Sequence, residues 1–509
     1  MVGNFIVGAQ NVFVLINFSI LALGVVLGII FGLLPGISGV NGVALLIPFT
    51  FTLDPIAGVL LLTGVYCGSV YGGSITSILF NTPGDPQNAP TCFDGYPMAK
   101  RGEAGRAMGL AITSSGLGGI FGTIVLIAVS PLLARVALKF SPAEFFALAL
   151  FGLSVISSMD AKVVRKGMLS GLFGLLLATV GIDAISGTER FTFGSELLIA
   201  GFGFIPITVG VFALGEIFSL AHTQEEFAQV DRKVSADLPR LREILALKWT
   251  LLRGMTIGTL VGVLPGVGAT TAAFLGYAGE VRFSKHPERL GTGVPEGIAA
   301  PESANNAAVG ASYVPLLTMG IPGSATTAIL IGGLLVHGIV PGPLLFVNQR
   351  PFVFAIFVGM FMANILMIVG GILAVRLFVK VLNIPYAFQA AFVIVLCTIG
   401  AFAVHNNIAD IWIMFIFGVI GFLMKRYDFP LAPLILGVVL GPIAEFSLRR
   451  AMLMLDYNIW AMFTRPVSGT LIILSILSLL SPGIRWLIGL TRKKVKVGVP
   501  KSENSSPLI

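Results

Sequence analysis

Apolar runs long enough to cross a bilayer recur a dozen times in this chain. They lie near residues 12–34, 56–80, 107–130, 143–158, 166–183, 196–220, 246–264, 310–336, 352–380, 386–403, 409–424 and 467–490. A helix needs about 20 residues to span hydrocarbon, and within lipid every backbone N–H and C=O must find its partner inside the protein. Charged residues make up only 11% of the 509, against 56% hydrophobic, and the mean hydropathy is +0.95. A soluble domain of this size could not cover itself with so few charges. The expected fold is an all-α polytopic membrane protein with about 11–13 crossings. Shorter apolar pieces at 43–53, 269–279 and 431–443 are too brief to cross and read as half-helices or re-entrant segments.

The net charge of +8 does not point to nucleic acid, because the basic residues sit in short loops and in the tail. Lys100/Arg101/Arg106, Lys162/Arg165/Lys166, the polar segment 222–248, Lys425/Arg426 and Arg492-Lys493-Lys494 mark cytoplasmic loops, and loop 183–195 falls outside. Arg135 and Lys139 fall on a predicted outer turn and depart from that pattern. Within the polar segment, Asp237 before Leu238-Pro239 reads as a helix N-cap on a helix lying along the inner surface. Residues 1–34 carry no charged side chain, and Val12–Leu34 reads as a retained first helix rather than a cleaved signal. Cys67, Cys92 and Cys397 are far apart and form neither a disulfide framework nor a metal site.

An internal repeat is the most informative pattern. Gly32-Leu33-Leu34-Pro35-Gly36-Ile37-Ser38-Gly39 recurs as Gly262-Val263-Leu264-Pro265-Gly266-Val267-Gly268-Ala269. Each copy closes an apolar run, and each is followed by a second break, Asn81-Thr82-Pro83-Gly84 in one half and Gly320-Ile321-Pro322-Gly323 in the other. Proline removes a backbone donor and glycine relaxes helical geometry, so such breaks survive in a bilayer only where protein or a polar cavity satisfies the freed groups. Matching breaks in two halves point to a transporter of two inverted repeats with Pro-Gly-broken and re-entrant half-helices. The first repeat spans 1–221 and a cytoplasmic amphipathic linker spans 222–248. The second repeat with its C-terminal helices covers 249–490, and a basic, disordered cytoplasmic tail covers 491–509.

The breaks supply the candidate site. Restarting helices aim N–H groups and the positive end of the dipole at an anion, whereas freed carbonyls, hydroxyls and amides suit a small cation. The expected substrate-binding residues are Pro35, Gly36, Ser38, Asn41, Ser74, Asn81, Thr82, Gly84, Pro265, Gly266, Thr270, Asn305, Asn306, Pro322, Gly323 and Ser324. Acidic residues and hydroxyls within apolar sequence, namely Asp85, Glu302, Ser303 and Thr318, are the expected cation-coupling groups. Asp410 and Glu445 fall near predicted helix ends and read as solvated, and His337 and His405 read as neutral packing residues. Gly36-Ile37-Ser38-Gly39 matches the GxSG pattern of intramembrane serine proteases, but the second copy keeps the break and lacks the serine. No catalytic residue, resident metal or cofactor is expected. No GxxxxGK[ST] motif is present, so energy would come from an ion gradient, and a passive anion channel is the alternative.

Several longer stretches carry a resemblance. They are Leu34-Pro35-Gly36, Tyr71-Gly72-Gly73-Ser74-Ile75, Asn81-Thr82-Pro83-Gly84, Asp94-Gly95-Tyr96-Pro97-Met98-Ala99, Pro301-Glu302-Ser303-Ala304-Asn305-Asn306-Ala307, Gly320-Ile321-Pro322-Gly323-Ser324, and His337-Gly338 with Pro341-Gly342-Pro343. In this order, over about residues 15–470, the chain resembles the large membrane subunit of tripartite tricarboxylate transporters. The resemblance implies import of di- or tricarboxylates by sodium or proton symport across the bacterial inner membrane. It implies two partners, a small integral-membrane subunit and a periplasmic solute-binding protein, and a cytoplasmic C-terminus. Asp85 departs from the small uncharged residue expected after Gly84.

Overall fold

The computed structural model describes residues 2–34, 38–158, 164–183, 185–223, 237–381 and 386–491. Pro35, Gly36, most of the linker, the tail and the His405 side chain lie outside the described residues. The first half contains α1 (Val2–Val12), α2 (Leu15–Leu33), α3 (Gly39–Thr50), α4 (Pro55–Phe80), α5 (Ala89–Lys100), α6 (Ala104–Ala137), α7 (Pro142–Ser158) and α8 (Val164–Leu177). A two-residue hairpin pairs β1 (Gly181–Ile182) with β2 (Glu189–Arg190). After it come α9 (Glu196–Ile199), α10 (Phe204–Thr208), a π-helical stretch over Val209–Leu214, α11 (Gly215–Thr223) and the short α12 (Leu241–Ala246).

The second half runs through α13 (Lys248–Val263), α14 (Gly268–Phe283), α15 (Glu296–Met319), α16 (Ala325–Val336), α17 (Leu345–Asn348) and α18 (Arg350–Val381). It ends with α19 (Tyr386–His405), α20 (Ile408–Arg426), α21 (Leu431–Met454), α22 (Ala461–Thr464) and α23 (Pro466–Thr491). Among the described residues seven helices are long and apolar enough to cross a membrane, and five shorter apolar helices accompany them. The chain is an all-α polytopic membrane protein.

Glycine spacing sets the packing at the centre. Gly24, Gly28 and Gly32 of α2 lie against the backbones of Leu61, Val65 and Ser69 of α4, so close that a Cβ at any of the three would overlap a carbonyl oxygen. The two series rise together, so α2 and α4 run parallel. Consecutive parallel helices need a returning segment between them, and α3, 12 residues long, supplies it. The second half repeats this arrangement: Gly254, Gly258 and Gly262 of α13 lie against Ala300, Ala304 and Ala308 of α15, and α14 returns between them. Small residues four apart let helices approach where lipid offers no hydrophobic drive to pack.

The two halves run in opposite directions. Tyr313 of α15 bonds Thr63 of α4 at 3.1 Å, while farther along α4 Ser74 shares the Asn88 amide with Glu302. Residue numbers rise along one helix as they fall along the other, so α4 and α15 are antiparallel. Each half also lends its longest helix to the other. Gly118 and Gly122 of α6 pack on Ser303 and Ala307 of α15, and Gly359 and Gly371 of α18 lie against Leu60 and Tyr71 of α4.

Four sequence expectations need correction. Residues 431–443 are not a half-helix; they open the 24-residue α21, which continues through Pro442. The linker helix starts at Leu241 rather than after Asp237, whose backbone N–H instead bonds Gly105 O at 2.9 Å. Asp410 is buried rather than solvated. Glu445 is ion-paired with Arg190 and Arg449, both at 2.6 Å.

Candidate functional site

The repeated breaks adopt matching backbone geometry. Leu34 and Leu264, each closing its helix, are extended at φ/ψ of −78°/115° and −73°/125°. The second breaks begin at Asn81 and Gly320, which end α4 and α15 in the left-handed region at φ of 58° and 71°. Glycine enters that region without strain, whereas asparagine is one of the few other residues that tolerate it.

Within each half the two breaks are tied together. In the first, Ser38 caps α3, its Oγ accepting from Asn41 N at 3.4 Å. The Asp85 carboxylate, buried beyond Gly84, accepts from Gly39 N at 3.1 Å. Gly84 sits so tightly on Gly32 O and Gly73 that no side chain fits there. In the second half the tie is entirely backbone: Gly266 N donates to Pro322 O at 3.0 Å and Gly268 N to Gly323 O at 3.1 Å. Ser324 then caps α16 reciprocally, accepting from Thr327 N at 3.1 Å while its own N–H donates to Thr327 Oγ1 at 2.7 Å.

At the second breaks, two reciprocal contacts join the halves. Ser324 Oγ lies 3.0 Å from the hydroxyl of Tyr66, whose ring stacks on Tyr313 with centroids 6.3 Å apart. Asn305 Nδ2 donates to Gln87 O at 3.2 Å, just past Asp85. Tyr66 and Asn305 hold corresponding positions on α4 and α15, so each half reaches across from the same place to the loop that follows the other half's break.

Beside this crossing lies a second polar cluster. The Glu302 carboxylate is fully buried. Thr91 of α5 donates to Oε1, Ser115 of α6 donates to Oε2 at 2.9 Å, and Asn88 Nδ2 approaches Oε1 at 3.5 Å. Asn88 is held in turn by Val70 O at 2.8 Å and Ser74 Oγ at 2.9 Å. None of the ion pairs among the described residues reaches Glu302. An ionised carboxylate in such a place costs several kcal/mol unless a proton or a cation compensates it.

The expected residues therefore divide. Ser38, Asn41, Ser74, Gly84, Asp85, Gly266, Glu302, Asn305, Pro322, Gly323 and Ser324 lie along the crossing and its neighbouring cluster, and Pro265 is buried at the same break. Asn306 turns back on its own helix, donating to Glu302 O at 3.1 Å and Asn305 Oδ1 at 2.8 Å. Thr82 is half-buried and Asn81 is exposed at the edge of the break, and Thr270 is half-buried in the first turn of α14. Ser303 and Thr318 do not join them. Ser303 bonds Ala300 O at 3.2 Å and faces Gly254, and Thr318 bonds Val314 O at 2.7 Å, so both satisfy themselves within α15.

Sequence reasoning missed Tyr66, Asn88, Thr91 and Ser115, which sit in ordinary helix-forming sequence and become relevant only through pairing of distant helices. It quoted Asp94 only within a stretch that carries the resemblance and gave it no role, yet Asp94 organises the chain before α15. Its carboxylate accepts from the backbone N–H groups of Gly291, Gly293 and Val294 at 2.8–3.0 Å, and from the Tyr277 hydroxyl at 3.0 Å.

Comparison with known proteins places the chain. The family model described as "Tripartite tricarboxylate transporter TctA family" matches residues 18–436. An "Uncharacterized 52.8 kDa protein in TAR-I ttuC' 3'region" of Agrobacterium vitis is 39% identical over 473 residues, covering 93% of this chain and 94% of that protein. An "Uncharacterized protein in TAR-II ttuC' 3'region" of the same organism is 37% identical over 231 residues, 45% of this chain and 96% of its own length. No solved structure matches. With a family model spanning both pairs of helix breaks, the chain belongs to the tripartite tricarboxylate transporter TctA family.

Proposed function

We propose that this chain is the large membrane subunit of a secondary transporter that imports di- or tricarboxylates by cation symport, taking them from a periplasmic binding protein. A small membrane subunit completes the assembly, which sits in the bacterial inner membrane with the C-terminus cytoplasmic. One observation carries the reading: four broken helix ends converge, in matched pairs, between two antiparallel halves joined by Tyr66–Ser324 and Asn305–Gln87. This supports the reading because the N-termini of α3, α14 and α16 bring the positive ends of their dipoles to the crossing, where a polyanion can be met without lysine or arginine, although Gly39, Gly266 and Gly268 N–H now rest on protein acceptors.

The energetics favour symport. A trianion entering against 100 mV costs ~7 kcal/mol, at about 2.3 kcal/mol per charge. Co-transport of three monovalent cations removes that cost. Asp85 and Glu302 are the acidic groups best placed to serve the coupling cation.

The deciding experiment is uptake of labelled citrate and smaller dicarboxylates into proteoliposomes holding both membrane subunits. The binding protein is supplied outside, and sodium and proton gradients are imposed separately. Accumulation that needs one gradient and the binding protein is the expected result. Equal uptake with neither gradient would make the chain a passive anion channel, and full uptake without the binding protein would remove that partner from the cycle.

A further inference from the structure

A cleft of about 290 Å³ opens at the base of the α13–α14 hairpin, away from the helix breaks. Its walls include Trp249 and Arg253 at the start of α13, Glu280 and Phe283 at the end of α14, and Lys285 and Arg289 in the loop beyond. We infer that this cleft binds the phosphate headgroup of an anionic phospholipid.

Charge is the first observation. Arg253 pairs with the buried Glu280 at 2.7 Å, yet its Nε is itself buried with no hydrogen-bond partner. Lys285 and Arg289 are exposed and make no ion pair among the described residues. His286 on the rim is engaged by Glu288 at 3.3 Å. With Glu280 committed to Arg253, Lys285 and Arg289 stay without an ion pair among the described residues, and Glu296 is the one other carboxylate lining the cleft. The surplus is positive, and its donors suit a phosphate oxygen.

The mouth is apolar, which selects an amphiphile over a soluble anion. Trp249 and Phe283 are 63% and 61% exposed, and Leu252 and Val281 beside them are also exposed. Lys248 lies over the Trp249 ring, and Arg253 and Arg282 lie over Phe283. Aromatic rings beside basic groups at the end of membrane helices mark the headgroup level. A basic pocket between helices at that level takes lipid phosphate while the exposed rings line the acyl chains.

The test uses the purified full-length protein in neutral detergent, titrated separately with phosphatidylglycerol, phosphatidylcholine and inorganic phosphate while thermal unfolding is followed. Phosphatidylglycerol should raise the midpoint saturably, and phosphatidylcholine should not. The double variant Lys285→Gln/Arg289→Gln, at exposed positions, should weaken the apparent affinity by roughly 25-fold, about fivefold for each cation. Arg165→Gln, an exposed basic residue elsewhere, should change nothing. An unchanged titration in the double variant overturns the assignment. Inorganic phosphate reproducing the whole shift and displacing the lipid would make the ligand a soluble anion and overturn the lipid reading. None of these readouts involves transport, so they stand apart from the function proposed above.

Discussion

Replacing Glu302 separates the structural from the functional content of the buried cluster. The carboxylate accepts from Thr91 and Ser115, both fully buried, and from the Asn88 amide at a longer distance. Glu302→Ala leaves the two hydroxyls without an acceptor in a place water cannot easily reach. An orphaned buried polar group costs about 1–3 kcal/mol, so the pair should cost roughly 2–6 kcal/mol. Glu302→Gln keeps Oε1 as an acceptor for Thr91 and can donate to Ser115 Oγ, so its cost should stay below about 1 kcal/mol.

Thermal unfolding in one detergent, with wild type, Gln and Ala compared side by side, reads the difference. The Gln variant should melt near wild type and the Ala variant well below it. A Gln variant as unstable as Ala, or an Ala variant as stable as wild type, would refute the hydrogen-bond argument. Proteoliposomes then ask the second question of the stable Gln variant. It should still exchange external for internal carboxylate but fail to accumulate it down a cation gradient. Accumulation at the wild-type level would remove Glu302 from coupling and leave its packing role intact.

Three further outcomes follow from the geometry. Asn81→Gly should fold as well as wild type, while Asn81→Ala should lose roughly 1–2 kcal/mol for a non-glycine residue held at φ 58°; equal melting of the two would show that the left-handed cap is not needed. Cysteines placed at the exposed Ser186 and Arg242, with the buried Cys67, Cys92 and Cys397 replaced, should label from opposite sides of the membrane; same-side labelling would overturn the assignment of loop 183–195 to the outside. The backbone N–H groups of Ser186 and Ile185, helped by Arg449, hold the Asp183 carboxyl well below the usual range. A depressed carboxyl contributes fully above the ordinary aspartate value and loses its contribution as pH falls below it. Protease cleavage in the 181–190 hairpin should therefore be constant from pH 7 to about 5 and rise only below about pH 4, and a rise between pH 7 and 5 would contradict the assignment.

Much of this could be read from residue types alone because membrane interiors punish irregular backbone. A Pro-Gly pair in an apolar run has few explanations, and its repetition in matched positions pointed to both halves and to their breaks. Glu302 stood out for the same reason, as a carboxylate in apolar sequence. Its partners did not. Thr91 and Ser115 lie near it only because α5 and α6 pack against α15 of the opposite half, and that exchange between halves leaves no local signature. Ser303 and Thr318 show the opposite limit: hydroxyls in helices bond the carbonyl three or four residues back, so composition cannot tell which of them also ligates. The 431–443 segment reads as a half-helix because its apolar run is too brief to cross by itself. Helix α21 runs on past Pro442, as neighbouring helices allow in a membrane.

The two halves agree in backbone more closely than in charge, and the difference bears on how a symmetric frame does asymmetric work. Leu34 matches Leu264, Asn81 matches Gly320, and the glycine seams of α2 and α13 match residue for residue. Asp85, however, stands where the second half has Ser324, and Glu302 stands where the first half has Thr63. The N-terminus of α3 is already met by the protein's own carboxylate through Gly39 N, while α16 starts from a neutral serine cap. Under the transport reading, a substrate carboxylate meets less repulsion and more uncompensated dipole on the second-half side of the crossing. The acidic groups that need a cation lie on Asp85 and, across α4, on Glu302. On that reading, backbone symmetry would let the two halves exchange geometry between outward and inward states. On the same reading, charge asymmetry would keep anion and cation on separate partners, so that one could bind without displacing the other.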